Sequence, residues 1–119
     1  MEKINLYEKL SLFHDTWNPR IIGELNGQQV KLAKLQGPFV WHKHENEDEL
    51  FLVLEGILTM EFRDKSLTLQ PNEFIIVPRG VEHRPVAEQP VSVLLFEPAG
   101  TLNTGDKKND LTRNTLESI

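Results

Sequence analysis

The stretch GPFVWHKHENEDELFLVLEG, residues 37–56, combines two histidines, an acidic loop and a strongly apolar segment. His42 and His44 lie two residues apart in a run that predicts a β-strand, so we expect their side chains to point to the same face. Glu49 follows the acidic loop and opens an apolar run that Gly56 ends. The pattern predicts two imidazoles directed at one point, with a carboxylate nearby.

A third histidine, His83, follows in the segment VPRGVEH. Neutral imidazoles and a carboxylate form a mixed nitrogen and oxygen donor set that suits a divalent first-row metal. Of the four histidines in the chain, only His14 lies outside this set, which makes coincidence a poor explanation. The central prediction is a metal centre inside a β-barrel.

Length, composition and charge exclude several classes of protein. The 119 residues predict a single domain, 1–119, and 39% hydrophobic with 26% charged residues is an ordinary globular composition. The absence of cysteine excludes disulfides and thiolate metal sites. A net charge of −5, with acidic and basic residues interspersed, argues against nucleic-acid binding, which requires a basic surface.

The beginning of the chain, MEKINLYEKL, has no apolar core of signal-peptide length. No run approaches the roughly 18 apolar residues that a membrane-spanning helix needs. We therefore expect a cytoplasmic protein without a membrane partner.

The remaining pattern predicts short strands separated by turns. Asn5 is a candidate helix cap for a short turn that places Leu6, Leu10 and Phe13 on one side. Asn26-Gly27 predicts a hairpin with a type I′ turn. Strands are expected at 20–25, 28–36, 49–54, 57–63, 66–70, 73–77 and 91–98, besides the run with the histidine pair. The prediction is an all-β barrel over about 20–98, with a polar tail, 99–119, that either wraps the surface or frays.

The central half of the chain resembles the cupin superfamily. The first cupin motif is a glycine, five residues, His-x-His, three or four residues, Glu, six residues and glycine. Here His42 and His44 are followed at these spacings by Glu49 and Gly56, whereas Gly37 stands four residues before His42 instead of five.

The second cupin motif is a glycine, five residues, Pro-x-Gly, two residues, His, three residues and Asn. Pro78, Gly80 and His83 match it. Asn72 replaces the first glycine, and Ala87 replaces the closing Asn. Asn is common in left-handed backbone geometry, which suits it to the turn at position 72.

The resemblance implies a jelly-roll barrel that holds a metal at one end. It implies that His42, His44, Glu49 and His83 are the metal ligands, with water or substrate in the remaining positions. The metal could be Fe, Mn, Ni, Zn or Cu, because the donor set accepts each of them. Small cupins commonly pair as dimers through strands of the two barrels, so a homodimer is expected.

Two functions fit this resemblance. One is a metalloenzyme that acts on a small molecule, either dioxygenase-like or isomerase-like, and the other is a non-catalytic, metal-dependent module that binds a small ligand. Phe51 and Val53 share the strand face of Glu49 and are the candidate substrate-binding residues. The sequence shows no separate general base near the ligands, which favours metal-centred oxygen chemistry over an isomerase with two bases.

Overall fold

Seven strands and one short helix form the chain, and the computed structural model describes all residues, 1–119. The elements are α1 (Leu6–Leu10), β1 (Arg20–Leu25), β2 (Gln28–Pro38), β3 (Glu49–Glu55), β4 (Leu58–Phe62), β5 (Ser66–Leu69), β6 (Phe74–Val77) and β7 (His83–Pro98). The strands run in the order β1-β2-β7-β3-β6, β4 pairs with β5 and β7, and all pairs are antiparallel. This confirms the all-β prediction with a short N-terminal helical turn. No helix has the length and apolar character that a membrane span requires.

Local sequence signals set the turns where they were expected. The Asn5 side chain caps α1 by accepting a hydrogen bond from the backbone N–H of Glu8 at 3.0 Å. Asn26 and Gly27 both have positive φ, 51° and 78°, as a type I′ hairpin between β1 and β2 requires. Asn72 also has a positive φ, 72°, in the turn before β6.

Strand β7 is longer than the sequence pattern predicted. We expected a strand over residues 91–98, but β7 begins at His83 and includes Pro85 and Pro90. Proline removes a ladder donor and weakens the strand pattern in sequence. The extension forms because the first half of β7 pairs with β4, from His83 opposite Phe62 to Val86 opposite Thr59, whereas the second half pairs with β2 and β3.

Alternation along β2 separates two apolar clusters on opposite faces of the sheet. Ala33 and Leu35 belong to the inner cluster of 14 buried residues, which forms the core of the barrel. Leu32 belongs to an outer cluster of four, where Leu10 and Phe13 from the N-terminal segment cover the sheet. The helical turn therefore covers one outer face and leaves the barrel interior to the strands.

The two ends of the strand order differ in how their edges are covered. The C-terminal residues run beside β1, where Ile21 bridges Ser118 and the Ile119 N–H donates to the Ile21 carbonyl at 3.0 Å. Strand β6, at the other end, pairs only with β3. The polar tail thus wraps the barrel rather than fraying, and it leaves the β6 edge uncovered.

Candidate metal centre

Backbone pairing brings the two histidine segments together. The N–H of His42 donates to the carbonyl of His83 at 3.1 Å, and the N–H of His83 donates back at 2.9 Å. A hydrogen bond of 2.7 Å from the Gly80 N–H to the His44 carbonyl holds the turn before β7 against the same segment. Residues 36 to 41 positions apart in sequence are thereby fixed on one side of the barrel.

The histidine pair does not lie on a continuous strand, so this part of the prediction is wrong. Apart from one isolated bridge, His42 to His83, residues 39–48 form no ladder. The backbone of Lys43 instead bonds to the tail, donating to Asp106 Oδ1 and accepting from the Asp106 N–H, both at 3.0 Å. The hydrogen bonds of this segment go to several partners, yet the rings of His42 and His44 still converge, with centroids 5.0 Å apart.

Four potential ligand atoms meet at one point. His42, His44, Glu49 and His83 each offer one donor atom, all of these atoms lie within 4.8 Å of one another, and all four residues are buried. Glu49 Oε1 lies 2.8 Å from His44 Nε2 and 3.4 Å from His83 Nε2. The structure thus brings together every residue that the sequence analysis named as a ligand, while their coordination of a metal stays a prediction.

The hydrogen bonds of the rings direct free lone pairs into the cluster. His42 Nδ1 lies 2.9 Å from the Val40 carbonyl, and His83 Nδ1 lies 2.9 Å from the Val81 carbonyl. Because a carbonyl only accepts, each Nδ1 must carry the hydrogen, which leaves Nε2 of a neutral ring as a metal donor. His44 Nε2, His83 Nε2 and Glu49 Oε1 are buried without a hydrogen-bond partner. Buried polar atoms are seldom left unpaired, so these three atoms fit a bound cation.

The charge of Glu49 also suits metal binding. Burial raises the pKa of this carboxyl, but the neighbouring side chains of Glu97, His44 and His83 outweigh burial and hold the pKa well below its usual value. Burial and the neighbouring Glu49 charge raise the pKa of Glu97 well above its usual value. Of the two carboxyl groups, Glu49 is therefore the one that ionises at the lower pH, and it is the anionic donor of the cluster.

The metal-free protein is expected to lose stability in acid because His42 is held neutral. Burial, followed by the charge of His83, lowers the pKa of His42 from 6.5 to about 4. Between pH 6.5 and about 4, His42 binds a proton in the unfolded chain but stays neutral in the folded chain. The stabilisation is complete above pH 6.5 and falls as the pH drops toward 4, by roughly 3 kcal/mol. Urea unfolding of the metal-free protein at pH 7 and pH 4.5 measures this loss, which should be much smaller in His42→Gln. Equal losses of unfolding free energy in wild type and His42→Gln would contradict the role of His42. The matched control is His14→Gln, because His14 is exposed.

An internal cavity of about 40 Å³ adjoins the cluster, and His42 and Glu49 form part of its wall. This volume holds more than one water molecule, since each requires about 10–15 Å³. Phe51 lines the cavity, whereas Val53 is fully buried in the inner cluster and does not reach it. Their predicted contact with substrate is untested, and the geometry favours Phe51. The tail closes the cavity with side chains of Thr101, Asn103 and Leu116.

Comparison with known proteins agrees with the sequence motifs. The model of the cupin domain family matches residues 28–97, which is more than half of the chain. This chain belongs to the cupin family. The cupin matches the solved structure of a cupin-2 domain-containing protein from Shewanella frigidimarina at 47% identity, with a TM-score of 0.79, over 80% of this chain and 93% of that one.

Two further relatives extend the comparison. A protein from Neisseria meningitidis of known structure is 36% identical to the cupin, with a TM-score of 0.76, over 82% of this chain and 100% of that one. The Bacillus subtilis protein YdbB is 44% identical over 64 residues, 53% of this chain. The match spans only 57% of the length of YdbB. These likenesses support the predicted jelly-roll architecture.

The cupin has two buried charged residues in the cavity that the sequence analysis missed, Lys31 and Glu97. Both stand at inward positions next to buried apolar residues of the same strand face: Lys31 two positions before Ala33 on β2, and Glu97 two positions after Leu95 on β7. The period-two alternation of each strand was the sequence signal that could have placed both side chains inside the barrel. The statement that no separate general base lies near the ligands is therefore corrected, because strand register rather than sequence proximity brings the Lys31 and Glu97 side chains to the cavity.

Asp48 is a second residue whose role was not foreseen. Asp48, in the acidic loop before Glu49, accepts a hydrogen bond from the backbone N–H of Arg79 at 2.9 Å and forms an ion pair with the Arg79 side chain at 3.3 Å. The Arg79 guanidinium lowers the pKa of Asp48. This contact joins the loop that carries Glu49 to the turn that precedes His83.

Proposed function

We propose that this cupin is a metalloenzyme for a small organic substrate, in which His42, His44, Glu49 and His83 hold one divalent transition metal. The observation that carries the proposal is the convergence of four buried donor atoms within 4.8 Å, next to a mostly apolar cavity. The donor set is compatible with Fe, Mn, Ni, Zn or Cu.

Backbone carbonyls and aromatic side chains preorganise the proposed metal site. The Val40 and Val81 carbonyls orient the rings of His42 and His83 and keep a lone pair on each Nε2. Trp17 stacks on Phe39 at a centroid distance of 4.5 Å, and both line the cavity. A metal bound here would supply Lewis-acid or redox chemistry toward an oxygen-containing substrate.

Both proposed reaction types, dioxygenase-like and isomerase-like, are supported. The sequence analysis favoured oxygen chemistry because it found no additional acid or base, and the presence of Lys31 and Glu97 in the cavity removes that preference. The alternative function is a non-catalytic, metal-dependent module for a small ligand. The same cavity supports it, so turnover is the property that separates the two.

Metal reconstitution tests the proposal. The metal-free protein is loaded separately with Fe(II), Mn(II), Ni(II), Zn(II) and Cu(II), and bound metal is measured by elemental analysis. Each loaded form is then mixed with small phenols, dicarbonyl compounds and sugars, while an oxygen electrode and proton NMR follow oxygen uptake and isomerisation. We expect one bound metal per chain and turnover with at least one form. No metal uptake would refute the site, and ligand binding without turnover in every form would establish the binding module.

We also propose that two copies pair through the outer face of β3 and β6. Phe74 and Ile76 on β6 are each 57% exposed, and they stand opposite half-buried Leu52 and Leu50 on β3. An uncovered edge strand with an apolar face is a liability unless another chain covers it. A second copy of the same face is the occupant that fits best, because two-fold pairing buries the apolar rows of both copies at once.

Two further expectations remain proposals. The net charge of −5 supports the absence of a nucleic-acid partner. The cytoplasmic location rests on the sequence alone.

A further inference from the structure

An ion pair lies inside the barrel beside the proposed metal site. Lys31 Nζ is 2.7 Å from Glu97 Oε1, and the two side chains are only 1% and 3% exposed. Both line the cavity that His42 and Glu49 also reach, but neither belongs to the four-residue cluster. The pair is therefore a second polar group in the wall of the same cavity.

Stability does not explain why these two residues are charged. Removing two charges from water costs several kcal/mol per ion, and apolar residues of similar volume often stabilise a core as well or better. The neighbouring inward positions on the same strands, Ala33 and Leu95, are apolar and buried. An aliphatic pair at positions 31 and 97 would extend that core, so the charges point to a role in binding.

The ammonium group of Lys31 has hydrogen-bond donors that no residue of the protein uses. It carries three N–H donors, and its one hydrogen bond is the one to Glu97. The Glu97 carboxyl in turn neighbours that of Glu49. Glu97 thus holds the ammonium on the side of the cavity that faces the cluster, with free donors available to a ligand.

We infer that Lys31 recognises an anionic oxygen of the ligand and that Glu97 is the positioning residue that holds it there. The inference rests on the proposed metal for the charge count. Three neutral histidines, Glu49 and a divalent ion together carry +1, and Lys31 raises the total to +2. An ionised Glu97 lowers the total to +1, and a protonated Glu97 leaves it at +2. In either protonation state a loaded cavity therefore carries a net positive charge that attracts an anion.

The size and lining of the cavity define the class of anion. The cavity volume of about 40 Å³ suits a compact group. Trp17, Phe39 and Phe51 supply an apolar surface for its body. The ligand class assigned here is therefore a short-chain carboxylate, or a substrate that presents an equivalent carboxylate or enolate oxygen to Lys31.

Isothermal titration calorimetry with acetate tests this assignment. The zinc-loaded wild-type protein is compared with zinc-loaded Lys31→Met, which keeps the length of the side chain and removes the charge. Loss of a charge-assisted hydrogen bond should weaken acetate binding by about tenfold to a hundredfold. Acetamide has the same shape without the charge, and its weak binding should not change with the variant. Lys34→Met is the matched control, because Lys34 lies on the same strand and donates to the Phe13 carbonyl on the outer face.

The outcomes separate this inference from the metal proposal. Equal acetate affinity in wild type and Lys31→Met, or no acetate binding by wild type, overturns the role of Lys31 even when zinc is bound normally. If wild type takes up no zinc, the metal proposal fails, and this inference falls with it because the positive charge on which it depends is absent. If Lys31→Met does not fold because Glu97 is left unpaired, Lys31→Met/Glu97→Gln, a neutral pair of similar shape, replaces it in the comparison.

Discussion

Replacing His44 with alanine should lower zinc affinity by about a hundredfold or more while leaving the metal-free protein close to its original stability. Loss of a residue that only supports a ligand already costs roughly 10–100-fold in metal affinity, so loss of a direct donor should cost at least the upper value. Neither ring nitrogen of His44 has a hydrogen-bond partner in the metal-free structure. Its removal breaks no hydrogen bond, and we expect unfolding free energy to change by at most about 1–2 kcal/mol.

Competition with a chromophoric chelator measures the zinc affinity, and urea unfolding of the metal-free proteins measures stability. His14→Ala is the matched control, because this histidine is exposed and lies outside the cluster. It should bind zinc as wild type does. Equal zinc affinity in His44→Ala and wild type would rule out His44 as a ligand, and a large loss of stability without metal would indicate a structural role instead.

Replacing Ile76 with aspartate should convert the proposed dimer to monomers. Two-fold pairing would bury the new carboxylate in both copies, each without a cationic partner and close to the other. Unpaired buried charges and like-charge contacts each cost several kcal/mol, so we expect the dimer to weaken by about 3 kcal/mol or more, roughly a hundredfold. The fold of each monomer should survive, because the Ile76 side chain is 57% exposed and faces away from the inner cluster.

Sedimentation velocity across a range of protein concentrations measures this change. Leu25→Asp is the control, because Leu25 is also apolar and 48% exposed but lies at the end of β1, on the opposite edge of the strand order. It should leave the dimer intact. A monomeric wild type, or an Ile76→Asp protein that dimerises as wild type does, would refute pairing through β6.

Local sequence patterns were sufficient for the parts of this protein that depend on near neighbours. Alternating apolar residues predicted most strands, because successive side chains in a strand point to opposite faces. Asn26-Gly27 and Asn72 predicted turns, because few residues tolerate positive φ. The spacing of His42, His44, Glu49 and His83 also named four residues that meet in space, since the motif encodes an arrangement that the fold preserves.

Features that depend on long-range register could be decided only by the tertiary structure. The strand predicted around His42 is replaced by hydrogen bonds to His83, Gly80 and the tail, and β7 extends through two prolines because β4 pairs with it.

The pairing of Lys31 with Glu97, 66 positions apart, arises from antiparallel alignment of β2 and β7. A sequence pattern specifies which face of its own strand a side chain occupies. It does not specify which strand lies opposite, because that choice depends on the packing of the whole barrel.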